Sequence, residues 1–354
     1  MVWNDTALTR EWNLPYPVIQ AGMAGGVTTP ELVTAVTQSG GLGMLGAGYM
    51  EAGQMKQAIK TIKENVSLFG VNVFVPESPE VTENEVEQAN RLLQPYREAL
   101  GIDAQQPVSS TSALYEKQLE TVLQEKVLVC SFTFGLPGPD TVRELKKNKT
   151  TLIGTATTVE EAGLNEERGM DMVVVQGSEA GGHRGGFTSS GQDPVGTMAL
   201  VPQVVDHIRI PVIASGGIMD GRGVLAALVL GASGVQMGTA FVTSEESGAH
   251  PLHKEAILNS SEEDMVITKA FSGKPARGVA NSFSREMENG RDMFLPYPFQ
   301  HQLTKAIRAQ AAAAGQPEWM SLWSGQAPTL GRRVPAASIM SCIATQVEEQ
   351  VQLF

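Results

Sequence analysis

The feature that most constrains this chain is an eightfold recurrence. Short apolar runs bounded by glycine or proline follow one another, each succeeded by a stretch with helical periodicity. They are "PVIQAG" (17–22), "LGMLGAG" (42–48), "FGVNVFV" (69–75), "VLVCSF" (127–132), "TLIGTA" (151–156), "MVVVQG" (172–177), "PVIASGG" (211–217) and "VQMGTAF" (235–241). The runs are apolar nearly throughout instead of alternating, as parallel strands covered on both faces must be. Segments such as "TTPELVTAVTQSG" and "DGRGVLAALVLGA" supply the helices, the first with Thr28 or Thr29 ready to cap and Pro30 in the first turn. Eight such units predict a TIM (β/α)8 barrel. A doubly wound sheet is the alternative, because counting strands does not establish closure.

After Phe241 the rhythm breaks. Residues 244–317 read as helices and loops without strand regularity, which predicts a smaller, mainly helical substrate-binding domain over the barrel mouth. The barrel itself is expected over 1–243 and completed by 318–354, where an amphipathic helix fits a return to the barrel wall. At 354 residues the chain has room for both units.

Charge and cysteine usage exclude several classes of partner. A net charge of -12 with no local basic patch counts against nucleic acid and anionic membrane surfaces. Cys130 and Cys342 lie far apart and have no CxxC companion, so neither a disulfide framework nor a cysteine zinc site is signalled, in keeping with a reducing compartment. The opening segment lacks a secretory pattern, and no apolar run nears the roughly 18 residues that span a bilayer. A soluble cytoplasmic protein is expected. A homo-oligomer is compatible with the sequence, which leaves the oligomeric state open.

In a TIM barrel the active site forms from the loops after the strands, and the unusual residues of this chain gather there. The sixth run ends in "QGSEAGGHRGG", which sets His183 between two pairs of glycines. Those glycines either make a tight turn or let backbone approach a ligand while the imidazole faces a reacting atom. Glu179 is a candidate carboxylate partner for His183, with no role assigned. Gly216, Gly217 and Ile218 lead into a helix starting near Asp220, while Gly238 and Thr239 follow the eighth run. Bare backbone N–H groups and a helix N-terminus on one spot predict a phosphorylated ligand; close helix–sheet packing is the plainer alternative.

Other patterns fail their context. "GLGMLG" (41–46) matches GxGxxG but lies before and within a strand, so its glycines are expected to give a ligand room at the barrel top. His250 and His253 have the spacing of a metal pair without an evident third ligand, and His207 suits a helix end. No P-loop, GxSxG or HExxH is present.

Taken together, "QGSEAGGHRGG", "PVIASGGIMDGRG", "GVQMGTAF", "ITKAFSGKPARG" and "LWSGQAP" resemble the class I nitronate monooxygenases, formerly 2-nitropropane dioxygenases, in particular the bacterial members of the Bacillus and Staphylococcus type. The resemblance covers essentially the whole chain. It implies an FMN flavoprotein that needs no nicotinamide and oxidises alkyl nitronates with O2 through a flavin semiquinone, releasing nitrite. Detoxification of propionate 3-nitronate is the implied physiological role. Carried onto this chain, the FMN-binding positions would be Met23, Asn72, Gln176 and Gly181 around the ring. Gly216, Gly217, Gly238 and Thr239 would hold the phosphate, with Gln236 and Met237 adjoining. His183 would be the active-site residue, and Tyr297 resembles a tyrosine of the family's substrate pocket. Some relatives carry "SFHFG" after the fourth strand, where this chain has "SFTFG", so Thr133 occupies the place of a second histidine. Threonine donates a hydrogen bond but does not change charge near neutral pH, which puts a two-histidine mechanism and efficient use of neutral nitroalkanes in doubt.

Three other readings share parts of this pattern. An FMN-dependent enoyl-acyl-carrier-protein reductase would share the glycine motifs but oxidise NADH. A phosphate-ligand binding protein would keep the barrel without catalysis. An enzyme like IMP dehydrogenase would need a nucleophilic cysteine loop, and Cys130 lies inside a strand, where an inert core thiol is expected.

Overall fold

The computed structural model describes residues 3–102, 108–188 and 194–353. Eight parallel strands close into a barrel: β1 (Val18–Gln20), β2 (Leu42–Gly46), β3 (Gly70–Phe74), β4 (Val129–Thr133), β5 (Thr151–Ala156), β6 (Met172–Gln176), β8 (Val212–Ser215) and β9 (Gly234–Met237). A two-residue strand, β7 (Gly182–His183), stands outside it. Closure is made by β9 pairing back onto β1, with Val18 opposite Val235 and Gln20 opposite Met237. The doubly wound alternative is thereby excluded.

Alternation along each strand explains why the runs are apolar throughout. Ile19, Leu42, Met44, Val129, Ile153, Met172, Val174 and Ile213 form the barrel interior, and Leu8 from the helix Ala7–Trp12 joins them. Their neighbours Val18, Val173, Val175, Val212, Ala214 and Val235 face outward and are buried against the helical ring. Each fully buried aliphatic side chain stabilises the fold by about 1.5–3 kcal/mol. The glycines of "GLGMLG" serve this packing. A Cβ on Gly43 would stand 2.3 Å from the Val33 carbonyl oxygen and one on Gly41 2.8 Å from that of Val18. For Gly41 and Gly43 the expected ligand room is therefore corrected to packing of neighbouring segments, whereas a Cβ on Gly46 would stand 2.4 Å from the backbone of Met23, in the loop after β1.

Local signals place the helices where the sequence puts them. Thr29 caps the helix Pro30–Gln38 by accepting from the Leu32 N–H, and Val159–Arg168 ends on Gly169 in the left-handed conformation. The C-terminal helix Ala336–Val351 packs against Gly221–Val229 and Pro30–Gln38.

A second core lies beyond the barrel mouth. Phe271, Phe283, Met287, Leu295, Leu303 and Ile307 assemble it, and Ala89, Leu93 and Tyr96 join them from the helix Glu83–Ala99, which lies between β3 and β4 in the chain. The region also holds strands that its sequence does not signal. Strands β10 (Met265–Thr268) and β11 (Ala276–Val279) form an antiparallel hairpin, and β7 adds to its edge with His183 opposite Ala276 and Gly182 opposite Arg277. Two four-residue strands with mixed burial carry too little period-2 pattern to announce themselves.

Candidate active site

A cavity of about 200 Å³ opens at the C-terminal ends of the barrel strands. Met23, Asn72, Thr133, Gln176, Gly181, His183, Gly216, Gly217, Gln236, Gly238 and Thr239 all line it. Two expected residues do not. Met237 is buried in the outer core because alternation along β9 turns Gln236 inward and Met237 outward. Tyr297 is buried beside the cavity wall, with its ring 5.2 Å from that of Phe134 and 6.0 Å from that of His183.

His183 reaches its place through strand pairing. Beyond the β7–β11 ladder, the Arg184 N–H donates to the Pro275 carbonyl at 2.8 Å, and the Arg184 guanidinium donates to the carbonyls of Gly177 and Gln176. The Gln176 amide closes the same loop: Nε2 donates to the His183 carbonyl at 3.1 Å while Oε1 accepts from the Gly185 N–H at 2.8 Å. Both ends of this amide are thus engaged with the backbone of the loop. Further on, Glu161 accepts from the N–H groups of Thr157, Phe187 and Thr188. Burial alone would raise its pKa, but these bonds outweigh burial and hold it below the usual carboxylate range.

The imidazole of His183 is walled by aromatic rings, Phe134 at 5.7 Å and Trp323 at 5.4 Å between centroids. Its Nε2 is buried and has no hydrogen-bond partner. Burial, then the charges of Arg308 and Lys274, push its pKa down to about 3, so it is neutral at physiological pH. Tyr49 lines the cavity, and burial raises the pKa of its phenol and that of Tyr297, so both are protonated.

On the β3–β4 wall, Asn72 Nδ2 donates to Ser131 Oγ at 2.8 Å and to Thr133 Oγ1 at 3.0 Å. Across the cavity lies a glycine cradle. Gly216 and Gly217 have φ of 113° and 71°, and the N–H groups of Gly216, Gly217 and Gly238 find no acceptor among the described residues. The neighbouring helix N-terminus is not part of it. Asp220 caps its own helix, accepting from the N–H groups of Arg222 and Gly223, so the expectation of a free helix end there is corrected.

Sequence reasoning assigned no site role to a strap formed by Trp323–Ala327, although "LWSGQAP" stood out as a motif. The Gly325 N–H donates to Thr239 Oγ1 at 2.8 Å and the Gln326 N–H to the Glu179 carbonyl at 2.9 Å. Gly181 is required by this strap, since a Cβ there would stand 2.5 Å from the Gly325 nitrogen. Glu179 does not pair with His183. Its carboxylate accepts from the Thr197 N–H and hydroxyl, capping the helix Thr197–Val205. His250 and His253 separate in the same way: His250 Nδ1 caps the helix Pro251–Leu258, whereas His253 Nε2 bonds the Trp323 carbonyl at 2.8 Å.

With this geometry in view, the family model described as nitronate monooxygenase matches residues 6–345. The chain belongs to the nitronate monooxygenase family. It is therefore an oxidoreductase. A probable nitronate monooxygenase of Staphylococcus haemolyticus is 49% identical over 351 residues, covering 98% of both chains. Among solved structures, a nitroalkane oxidase from Streptomyces ansochromogenes is similar with a TM-score of 0.92 at 38% identity, over 99% of this chain and 100% of that one. FabK from Thermotoga maritima is more distant, with a TM-score of 0.77 at 32% identity over 98% and 97%. Family membership and the nitroalkane oxidase neighbour support oxidation of nitronates as the activity.

Proposed function

We propose that the protein oxidises alkyl nitronates, propionate 3-nitronate foremost, with O2 and release of nitrite, using FMN seated in the cavity. The observation that carries this reading is a neutral His183 with a buried, unpartnered Nε2 in the lining of a cavity that also holds three glycines with unclaimed N–H groups. The residues present fit a flavin mononucleotide. Gly216, Gly217 and Gly238 would donate backbone N–H groups to its phosphate, and the Thr239 hydroxyl, which accepts from Gly325, keeps its own hydrogen to donate. Asn72 and the Met23 backbone would meet the ring, with Gln236 and Gly181 beside it. Gln176 contributes by holding the histidine loop, and FMN would supply the electron transfer.

The protein's own contribution is positioning and exclusion of water. A nitronate is already an anion, so no base is needed to generate it. A neutral His183 with Nε2–H protonated donates a hydrogen bond that orients the substrate without trapping it as an ion pair. Phe134, Tyr297 and Trp323 keep the surroundings apolar, which strengthens that bond. Thr133 offers a hydroxyl donor beside the histidine loop, where the Phe134 N–H donates to the Gly185 carbonyl. We place the cap of the cavity in the lobe built from 244–317 together with Glu83–Ala99, acting on a small-molecule substrate inside the cell.

The decisive test is the absorption spectrum of the pure protein followed by oxygen uptake and nitrite release on propionate 3-nitronate. A yellow protein that consumes oxygen and releases nitrite is expected. Rapid anaerobic bleaching by NADH, with no oxygen uptake on the nitronate, would overturn the reading in favour of an enoyl-reductase type of activity.

A further inference from the structure

Arg308, on the helix Phe299–Ala313, is a half-buried cation with no carboxylate partner among the described residues. Its Nε donates to Thr304 Oγ1 at 3.2 Å, and its Nη2 donates to the His301 carbonyl at 3.0 Å and lies 3.2 Å from His301 Nδ1. Among the described residues no carboxylate lies within 4.0 Å of its nitrogens, and Nη1 has no acceptor. Lys274, the other cation acting on His183, differs in this respect, because it is paired with Glu77. A guanidinium taken out of water without an anion is costly to keep, and an anionic ligand beside it removes that cost.

The position of Arg308 says which part of a substrate it meets. The His301 ring that it holds stacks on Tyr49 at 4.2 Å, and Tyr49 lines the cavity. From His183 the rings step outward, 6.0 Å to Tyr297 and 6.3 Å from Tyr297 to His301. His301 therefore stands two ring-to-ring steps from the imidazole, and Arg308 one hydrogen bond beyond it. Burial pulls its pKa down to about 10, yet the residue is only half-buried and keeps surface that a ligand can reach. His301 is held well below its usual pKa, first by burial and then by Arg308, and as a neutral ring it can accept from the guanidinium through Nδ1.

We infer that Arg308 recognises a carboxylate carried at the far end of the substrate, so that nitronates with an anionic tail are preferred over plain alkyl nitronates. The inference rests on the nitronate reading above. His183 orients the reacting end, and the guanidinium takes the carboxylate of the tail through the two unclaimed hydrogens of Nη1. Arg308 is then a determinant of substrate choice and takes no part in the redox step.

The test compares FMN-loaded wild type, Arg308→Gln and Arg308→Lys on propionate 3-nitronate and on propyl nitronate, which lacks the carboxylate. Arg308→Gln is expected to lower kcat/KM for the carboxylate substrate by about 10- to 100-fold, chiefly through KM, while propyl nitronate changes by less than about 3-fold. Arg308→Lys should recover part of the loss, since it keeps the charge but not the fork. Equal losses on both substrates, or none on either, overturn the inference. Should Arg308→Gln fail to fold, propionate titrated into wild type and Arg308→Lys decides, followed by the flavin spectrum. Tighter binding to wild type supports the assignment, and no binding to either overturns it. Wild-type enzyme inactive on both nitronates would instead sink the functional reading, with the propionate titration still judging Arg308.

Discussion

Asn72 and Thr133 are joined across neighbouring strands, Nδ2 of the first donating to Oγ1 of the second at 3.0 Å. Register brings this about: Asn72 lies opposite Ser131, so Ser131 and Thr133, two residues apart on one face, both meet its amide. Where some relatives carry a histidine, this chain keeps a hydroxyl whose lone pair is already claimed by the wall. Thr133→Val removes that acceptor and the hydroxyl donor together. It should lower kcat/KM on a nitronate by about 3- to 10-fold without altering the shape of the pH profile, because threonine does not titrate there. Steady-state rates at several pH values check both statements.

His183→Ala should keep the fold and the flavin, since the loop is held by Gln176, Arg184 and the β7–β11 ladder through backbone atoms. Turnover on a nitronate should fall by about 100-fold or more, the usual scale for removing a positioned imidazole. Flavin content and nitrite release measure the two separately. Unchanged turnover would remove His183 from the mechanism.

The pH dependence follows from the same residue. Folded His183 titrates near 3 against an ordinary value of 6.5, so between these limits the unfolded chain binds a proton that the native state refuses. The sign is fixed: stability is unaffected above about pH 6.5 and declines as pH falls toward 3. Glu161, held low by its backbone donors, adds to the loss on the acid side. Activity on a pre-formed nitronate should show no inflection near pH 6.5. Thermal unfolding between pH 8 and 4, together with kcat/KM over the same range, tests the pair of statements.

Gly216→Ala should damage the cofactor cradle and the fold at once. At φ 113° an L-residue is strained, and the added Cβ would lie 3.0 Å from Thr197 Oγ1 and 3.1 Å from the Ala180 nitrogen. A cost of about 1–3 kcal/mol is expected from the backbone conformation. The absorbance ratio of flavin to protein should drop in step with the melting temperature. Full flavin occupancy in the variant would argue that the phosphate rests elsewhere.

Much of the molecule was legible in the linear chain, because apolar runs covered on both faces and capped helices are written locally. Eight runs became eight barrel strands, seven with boundaries shifted by at most two residues and the eighth ending at Met237, four residues before Phe241, where a short helix takes over; Thr29 and Gly169 bound helices as their chemistry requires. The glycine loops and His183 stood out for the same reason: residues at strand ends fall on one rim once the barrel closes. Tertiary structure decided what those residues touch. Gln176 turned to its own loop, Met237 faced the outer core, and Asp220 closed the helix end that seemed open. His183 was paired with a hairpin from residues 265–279, and the strap Trp323–Ala327 crossed the cavity from the far end of the chain. Arg308 came to lie beside Tyr49 with no acid near it among the described residues. A local pattern can specify an element because its own backbone and burial enforce it, but the partner of a side chain is chosen by whichever distant segment the closed fold brings within hydrogen-bond reach.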